Sequence, residues 1–227
     1  MSNTHRNPTD TEINAVIKFY TSGQIEEARA VLIRLTRKYP NEALLYNFLG
    51  VCYATLNQTE AALGSFESAL RINPDNAEVH YNLGNTLKEL SQMEAAVKSY
   101  EQALAIKPDF AEAHSNLGAT LNDLGQLEAA VKSYEKALAI KPDYADAKNY
   151  LGITLQKLSQ LEAAVKCYEQ ALAIKPDYAE AHNNLGVTLQ NLGLMDEAVI
   201  SYEKAIVSNP EYTEAHNNLG NLFKELK

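Results

Sequence analysis

Apolar residues along this chain recur on two alternating helical stripes. Within residues 77–110, Leu83, Leu87 and Leu90 are spaced i, i+4, i+7, which puts them on one face of a first helix. Met93, Ala96, Val97, Tyr100 and Leu104 follow at i, i+3, i+4, i+7 and i+11, one face of a second helix. The pattern then restarts. Gly50, Gly84, Gly118, Gly152, Gly186 and Gly220 stand 34 residues apart, and so do Pro40, Pro74, Pro108, Pro142, Pro176 and Pro210. A fixed period of this length marks a helix–turn–helix repeat array. Each stripe is too narrow for a core of its own, so one hairpin needs the next to complete its burial. The predicted fold is an all-α solenoid of antiparallel helix pairs.

The same period predicts where elements end. Each proline stops a second helix. Asp75–Glu78, Asp109–Glu112, Asp143–Asp146 and Asp177–Glu180 have capping-box spacing for the first helix that follows. Gly23, Gly125 and Gly193 suit the left-handed residue that closes a first helix, and Asn57, Ser91 and Ser159 hold that place in other repeats. Gly84 and Ala96 let paired backbones approach, and Ala103 does the same toward the next repeat. A leucine at Gly118 or Ala130 would overpack this contact, at a cost of about 1–3 kcal/mol or more.

Each unit resembles the tetratricopeptide repeat. Leu-Gly stands at positions 7 and 8, Ala at 20, Tyr or Phe at 24 (Phe66, Tyr100, Tyr134, Tyr168, Tyr202), Ala at 27 and Pro at 32. The resemblance covers residues 9–227 and implies a right-handed superhelical array. Full repeats are expected at 43–76, 77–110, 111–144, 145–178 and 179–212. Residues 9–42 form a degenerate copy, with Val16 in place of glycine but Ala28, Leu35 and Pro40 retained. Residues 213–227 read as the first helix of a seventh repeat or a capping helix, and residues 1–8 as a flexible lead. The string PDFAEAHSNLG at 108–118 is similar to repeats of the O-linked N-acetylglucosamine transferase family, and also to bacterial arrays fused to enzymes.

Charge narrows the partners. With 20 Lys and Arg against 29 Asp and Glu, the net charge is −9. Nucleic acid and anionic membranes are excluded as main partners, because phosphate binding needs a basic face. No apolar run approaches a membrane span, and the opening MSNTHRNP has no hydrophobic signal region. Cys52 and Cys167 lie in different repeats and read as free thiols of a reducing compartment, the first packed inside and the second at the surface. A cytoplasmic protein is expected.

No phosphate loop, HExxH or nucleophile elbow is present, so neither an enzyme nor a cofactor is expected. His80, His114, His182 and His216 share position 4, one per repeat. Neighbours should therefore lie on the order of 10 Å apart, too far for one zinc ion with ligands at about 2.0–2.1 Å. They read as half-buried substitutes for an aromatic residue, and no metal is expected.

The resemblance places positions 2, 5, 6, 9, 12 and 13 on the concave side. Position 6 reads Asn82, Asn116, Asn184 and Asn218, interrupted by Tyr150. In the glycosyltransferase family such a ladder holds extended polypeptide, and the resemblance implies the same here. Asn is a mediocre helix former, about 0.7 kcal/mol worse than Ala, which favours a functional reason. Near-identical repeats such as AVKSYEQALAIKPD and AVKSYEKALAIKPD favour inheritance by duplication instead. Asn85, Asn149, Asn183, Asn217 and Asn221 are further groove candidates. Tyr150, with Ile153 and Val187 at position 9, predicts an apolar pocket near the fifth repeat, for which drift is the alternative.

A chaperone C-terminal carboxylate is disfavoured as ligand. Position 5 carries no Lys, and position 2 is acidic at Glu78, Glu112, Asp146, Glu180 and Glu214. Three functions remain: a scaffold holding a peptide or protein segment in its groove, the substrate-recruiting arm of a larger enzyme, and a scaffold that self-associates end to end through its terminal repeats.

Overall fold

The computed structural model describes residues 7–226, and their regular structure is entirely helical. Most of the expected lead at 1–8, like Lys227, lies outside the described residues. The chain forms two compact units that divide between Asp109 and Phe110. The first contains α1 (Asp10–Thr21), α2 (Ile25–Lys38), α3 (Ala43–Thr55), α4 (Thr59–Ile72), α5 (Ala77–Glu89) and α6 (Met93–Ile106). The second contains α7 (Ala111–Asp123), α8 (Leu127–Ile140), α9 (Ala145–Lys157), α10 (Leu161–Ile174), α11 (Ala179–Asn191), α12 (Met195–Ser208) and α13 (Thr213–Glu225). Within each unit every helix packs on its sequence neighbours. First helices also meet each other: α3 with α5, and α7, α9, α11 and α13 in succession. Such nearest-neighbour packing is that of a solenoid. Among the described residues no helix is long and apolar enough to cross a membrane.

The repeat core is an aromatic ring laid on bare backbone. Tyr100, Tyr134, Tyr168, Tyr202 and Phe66 are all but fully buried. A Cβ on Gly84 would come within 2.6 Å of the Tyr100 ring, and one on Gly152 within 2.6 Å of the Tyr168 ring. The atoms nearest such a Cβ on Gly84 are those of the Tyr100 ring, and Ala96 and Ala103, one turn to either side of Tyr100 on the same helix, have no exposed surface.

Helix ends match the sequence at one terminus and differ at the other. Gly125 closes α7 at φ 75°, and Ser159 closes α9 at φ 59° in the same left-handed conformation. A side chain there costs roughly 1–2 kcal/mol of backbone preference. The residue after each bonds back, Gln126 N to Leu121 O at 2.8 Å and Gln160 N to Leu155 O at 2.9 Å, tying off the last turn. The aspartate capping boxes do not form. The N-caps of α7, α9 and α11 are Phe110, Tyr144 and Tyr178, with no side-chain cap bond, and Asn76 caps α5 through its own amide oxygen. Each aspartate falls one residue before the N-cap, too early to cap the first turn.

The capping box that does form is Thr9 with Glu12 on α1. Glu12 Oε1 accepts from Lys38 Nζ at 2.8 Å, and Oε2 accepts from Thr9 N and from the Tyr39 hydroxyl, both at 2.9 Å. These donors, Lys38 foremost, pull the Glu12 carboxyl down to about 2. The folded value lies below the ordinary one of about 4.3. The contribution of Glu12 is thus complete above that pH and is lost as pH falls toward 2. Acid should loosen α1 from α2 before the rest of the chain, followed by amide exchange. Glu12→Gln should remove that acid step.

Both cysteines are free. Cys52 is buried as expected, and burial pushes its thiol up to about 11. Cys167 is half-buried rather than at the surface, because the helix packed beside it covers its flank, and its thiol is raised for the same reason. Neither is activated for chemistry.

Candidate functional site

In the second unit α7, α9, α11 and α13 lie side by side and present Asn116, Tyr150, Asn184 and Asn218 at equivalent positions. Asn184 Nδ2 donates to Asn149 Oδ1 at 3.1 Å, and Asn218 Nδ2 donates to Asn183 Oδ1 at 3.0 Å. Asn149 and Asn183 have no exposed surface. Asn149 Nδ2 in turn donates to the Tyr178 hydroxyl and to Glu180 Oε1, both at 3.4 Å, and Asn183 Nδ2 donates to Glu214 Oε1 at 3.4 Å. A buried amide without partners would cost about 1–3 kcal/mol, and here each is bonded on both sides. The first unit makes the same step once, from Asn82 Nδ2 to Asn47 Oδ1 at 3.4 Å.

This arrangement separates residues that the sequence groups together. Asn149 and Asn183, expected on the groove, are inside the stack, because the next first helix covers position 5. Position 6 stays accessible: Asn82, Asn116, Asn184 and Asn218 are half-buried and Tyr150 is exposed. The lateral bond occupies one N–H of each of Asn82, Asn184 and Asn218. Their Oδ1 atoms accept no hydrogen bond among the described residues.

Two further kinds of side chain, neither among the predicted groove residues, brace the row. Thr86, Thr120, Thr154 and Thr188 are buried at position 10. Each hydroxyl donates to the main-chain carbonyl one turn back, on Asn82, Asn116, Tyr150 and Asn184, at 2.8–2.9 Å. The recurrent Asn-x3-Thr spacing was visible. The core tyrosine hydroxyls also reach the first helices: Tyr100 donates to Asn85 Oδ1 at 2.7 Å, Tyr168 to Gln156 Oε1 at 3.2 Å and Tyr202 to Gln190 Oε1 at 3.0 Å. Asn85 therefore bonds the core as well as facing outward.

Tyr150 leans on Tyr134, with ring centroids 6.3 Å apart and planes at 30°. Burial, then the Glu180 and Asp146 carboxylates, raise its phenol, so it is a neutral donor at physiological pH. Ile153 is half-buried. Val187 is half-buried and packs against the core around Leu189 and Tyr202, while Asn217 and Asn221 are exposed.

The position-4 histidines hold the joints between repeats. Nε2 of His80, His182 and His216 lies 2.9 Å from the carbonyl oxygen of Pro74, Pro176 and Pro210 respectively. An N–H at Nε2 donating to that carbonyl satisfies a chain end that proline leaves without a helical partner. Burial is the main cause that lowers the His182 pKa, so the neutral ring persists. The aromatic residues at position 34 have a matching role. Lys141 Nζ sits 4.7 Å from the centre of the Tyr144 ring, and Lys175 Nζ sits 4.6 Å from that of Tyr178.

The first unit carries a cleft of about 400 Å³ lined by α1, α3 and α5, with Ile17, Tyr20, Phe48, Val51, Glu78 and Asn82 on its walls. The sequence predicts an apolar pocket at Tyr150 and none here, because Ile17 and Tyr20 belong to the degenerate first repeat.

Known proteins share this architecture. A family model described as TPR repeat matches residues 53–91, 84–122, 120–159 and 157–193, and one described as tetratricopeptide repeat matches 179–212. No curated protein matches the chain. Among solved structures, that of MamA is 26% identical, covers 73% of this chain and 97% of its own, and superposes with a TM-score of 0.68. The structure of YrrB, described as a TPR protein with an unusual peptide-binding site, is 22% identical over 82% of this chain and 96% of its own, with a TM-score of 0.68. That of pilF from Pseudomonas aeruginosa is 20% identical over 96% of this chain and 97% of its own, with a TM-score of 0.80.

Proposed function

The chain belongs to the tetratricopeptide repeat family, and on that premise we propose that its second unit holds an extended polypeptide along the row of α7, α9, α11 and α13. The observation that carries this reading is the pair of open side-chain carbonyls on Asn184 and Asn218, each amide already oriented by a lateral bond. An oriented amide accepts from a guest's main-chain N–H and gives its remaining N–H to a guest carbonyl, whatever the guest's side chains. Pre-orientation lowers the ordering cost of binding. An extended chain rises about 3.3 Å per residue and packed helices lie about 8–10 Å apart, so every third guest residue would meet a helix. Tyr150 adds a phenol donor and an apolar ring to the same row. YrrB, which shares the fold, has a peptide-binding site.

Each such bond contributes about 0.5–1.5 kcal/mol net, which makes for weak, sequence-tolerant binding. The test is fluorescence anisotropy with a labelled, permanently unfolded polypeptide. The variant Asn116/Asn184/Asn218→Ala should bind about tenfold or more weakly, with helical circular dichroism retained. Equal affinity would remove the row from the binding site.

A further inference from the structure

In the first unit the row changes character. Where position 6 carries Asn in four later repeats, α3 presents Phe48, and together with Val51 and with Ile17 and Tyr20 of α1 it surrounds the cleft of about 400 Å³. Ile17 and Tyr20 are 43% and 38% exposed, and exposed apolar side chains gathered on a concave surface mark a binding site more often than a bare surface does. The volume suits one large side chain. Glu78 stands on the same cleft, and its carboxylate has no ion pair or hydrogen bond among the described residues, while no Lys or Arg lines the walls. Three of its four counterparts are engaged: Glu112 faces Lys141 at 3.7 Å, Glu180 accepts from Asn149, and Glu214 accepts from Asn183. Beside Glu78 is Asn82, its amide oriented by Asn47 and its carbonyl open.

We propose that this cleft anchors a bulky apolar side chain of an extended peptide, with a Lys or Arg within two residues of it paired to Glu78. The proposal rests on the reading of the chain as a polypeptide-binding repeat protein and names the sequence feature its first unit selects. The apolar walls supply the anchor, the lone carboxylate supplies the charge preference, and the Asn82 carbonyl takes a main-chain N–H between the two.

The experiment uses the full chain and three capped nine-residue peptides that differ only at two adjacent central residues: Phe-Lys, Ala-Lys and Phe-Glu. At low salt Phe-Lys should bind about tenfold more tightly than Ala-Lys and several-fold more tightly than Phe-Glu. Glu78→Gln should abolish the preference for Lys over Glu and keep that for Phe over Ala. Ile17→Asn, at an exposed position, should weaken Phe-Lys binding and leave Ala-Lys binding unchanged, with the melting temperature checked in both variants. Equal affinity for Phe-Lys and Ala-Lys overturns the anchor. A Lys preference that survives Glu78→Gln overturns the ion pair. The Asn116/Asn184/Asn218→Ala variant separates the two proposals. If it weakens all three peptides equally while the intact chain shows no preference among them, the row stands and the cleft fails. If the preference for Phe-Lys persists in it at undiminished affinity, the cleft stands and the row fails.

Discussion

Tyr168→Ala should destabilise the second unit by about 3–5 kcal/mol, the range for removing a large buried aromatic side chain. The ring has no exposed surface and rests on Gly152, where any Cβ would stand 2.6 Å from it. Its partner substitution makes the expectation specific. Gly152→Ala alone should cost about 1–3 kcal/mol through overpacking. In the Tyr168→Ala background the same methyl enters the vacated space, and alanine's better helix propensity, worth about 1 kcal/mol, should turn the cost into a gain. Urea unfolding of the four proteins gives a coupling energy. Simple additivity would mean that glycine and ring do not meet.

Asn149→Asp should be nearly as damaging at neutral pH, on the order of 3 kcal/mol, although it changes one amide nitrogen to oxygen. Asn149 is fully buried, and its Nδ2 lies 3.4 Å from Glu180 Oε1. The substitution replaces a donor facing a carboxylate with a second carboxylate at a fully buried position. Burial and Glu180 would both raise the new carboxyl's pKa above its unfolded value of about 3.9. The folded state would then bind the extra proton first, and stability should recover as pH falls through the raised value. Denaturation at pH 7 and pH 5 reads this directly. Asn149→Leu, which introduces no charge, should show no such recovery. Equal losses at both pH values would place Asn149 in contact with water.

Period and fold were legible because they rest on residues whose constraints are local and strong. Past its first turn a helix does not run on through proline, and the residue before Gln126 or Gln160 turns left-handed to close one, so Gly125 and even Ser159 could be placed from sequence. Partners across a contact were not legible in the same way. Gly84 and Ala96 stand out together in the sequence because both are small, but the atoms nearest a Cβ on Gly84 belong to Tyr100, the largest residue of the facing helix. The aspartate at position 33 has the right chemistry for a cap and the wrong reach. Asn149 and Asn183 at position 5 look in sequence like Asn184 and Asn218 at position 6, one residue on and about 100° round the helix. Only the stacking of the next first helix decides that one set is buried and the other open. The cleft beneath Ile17 and Tyr20 has one wall in the repeat that departs most from the pattern, where the period constrains least.

The most direct test of the central claim is the set of side-chain amide signals of the isotope-labelled full chain, recorded as an unfolded polypeptide is titrated in. The Asn184 and Asn218 amides should shift progressively with saturation, and the buried Asn149 and Asn183 amides should follow through the bonds that link them. Signals that stay fixed on this row, with shifts confined to α8, α10 and α12, would contradict it.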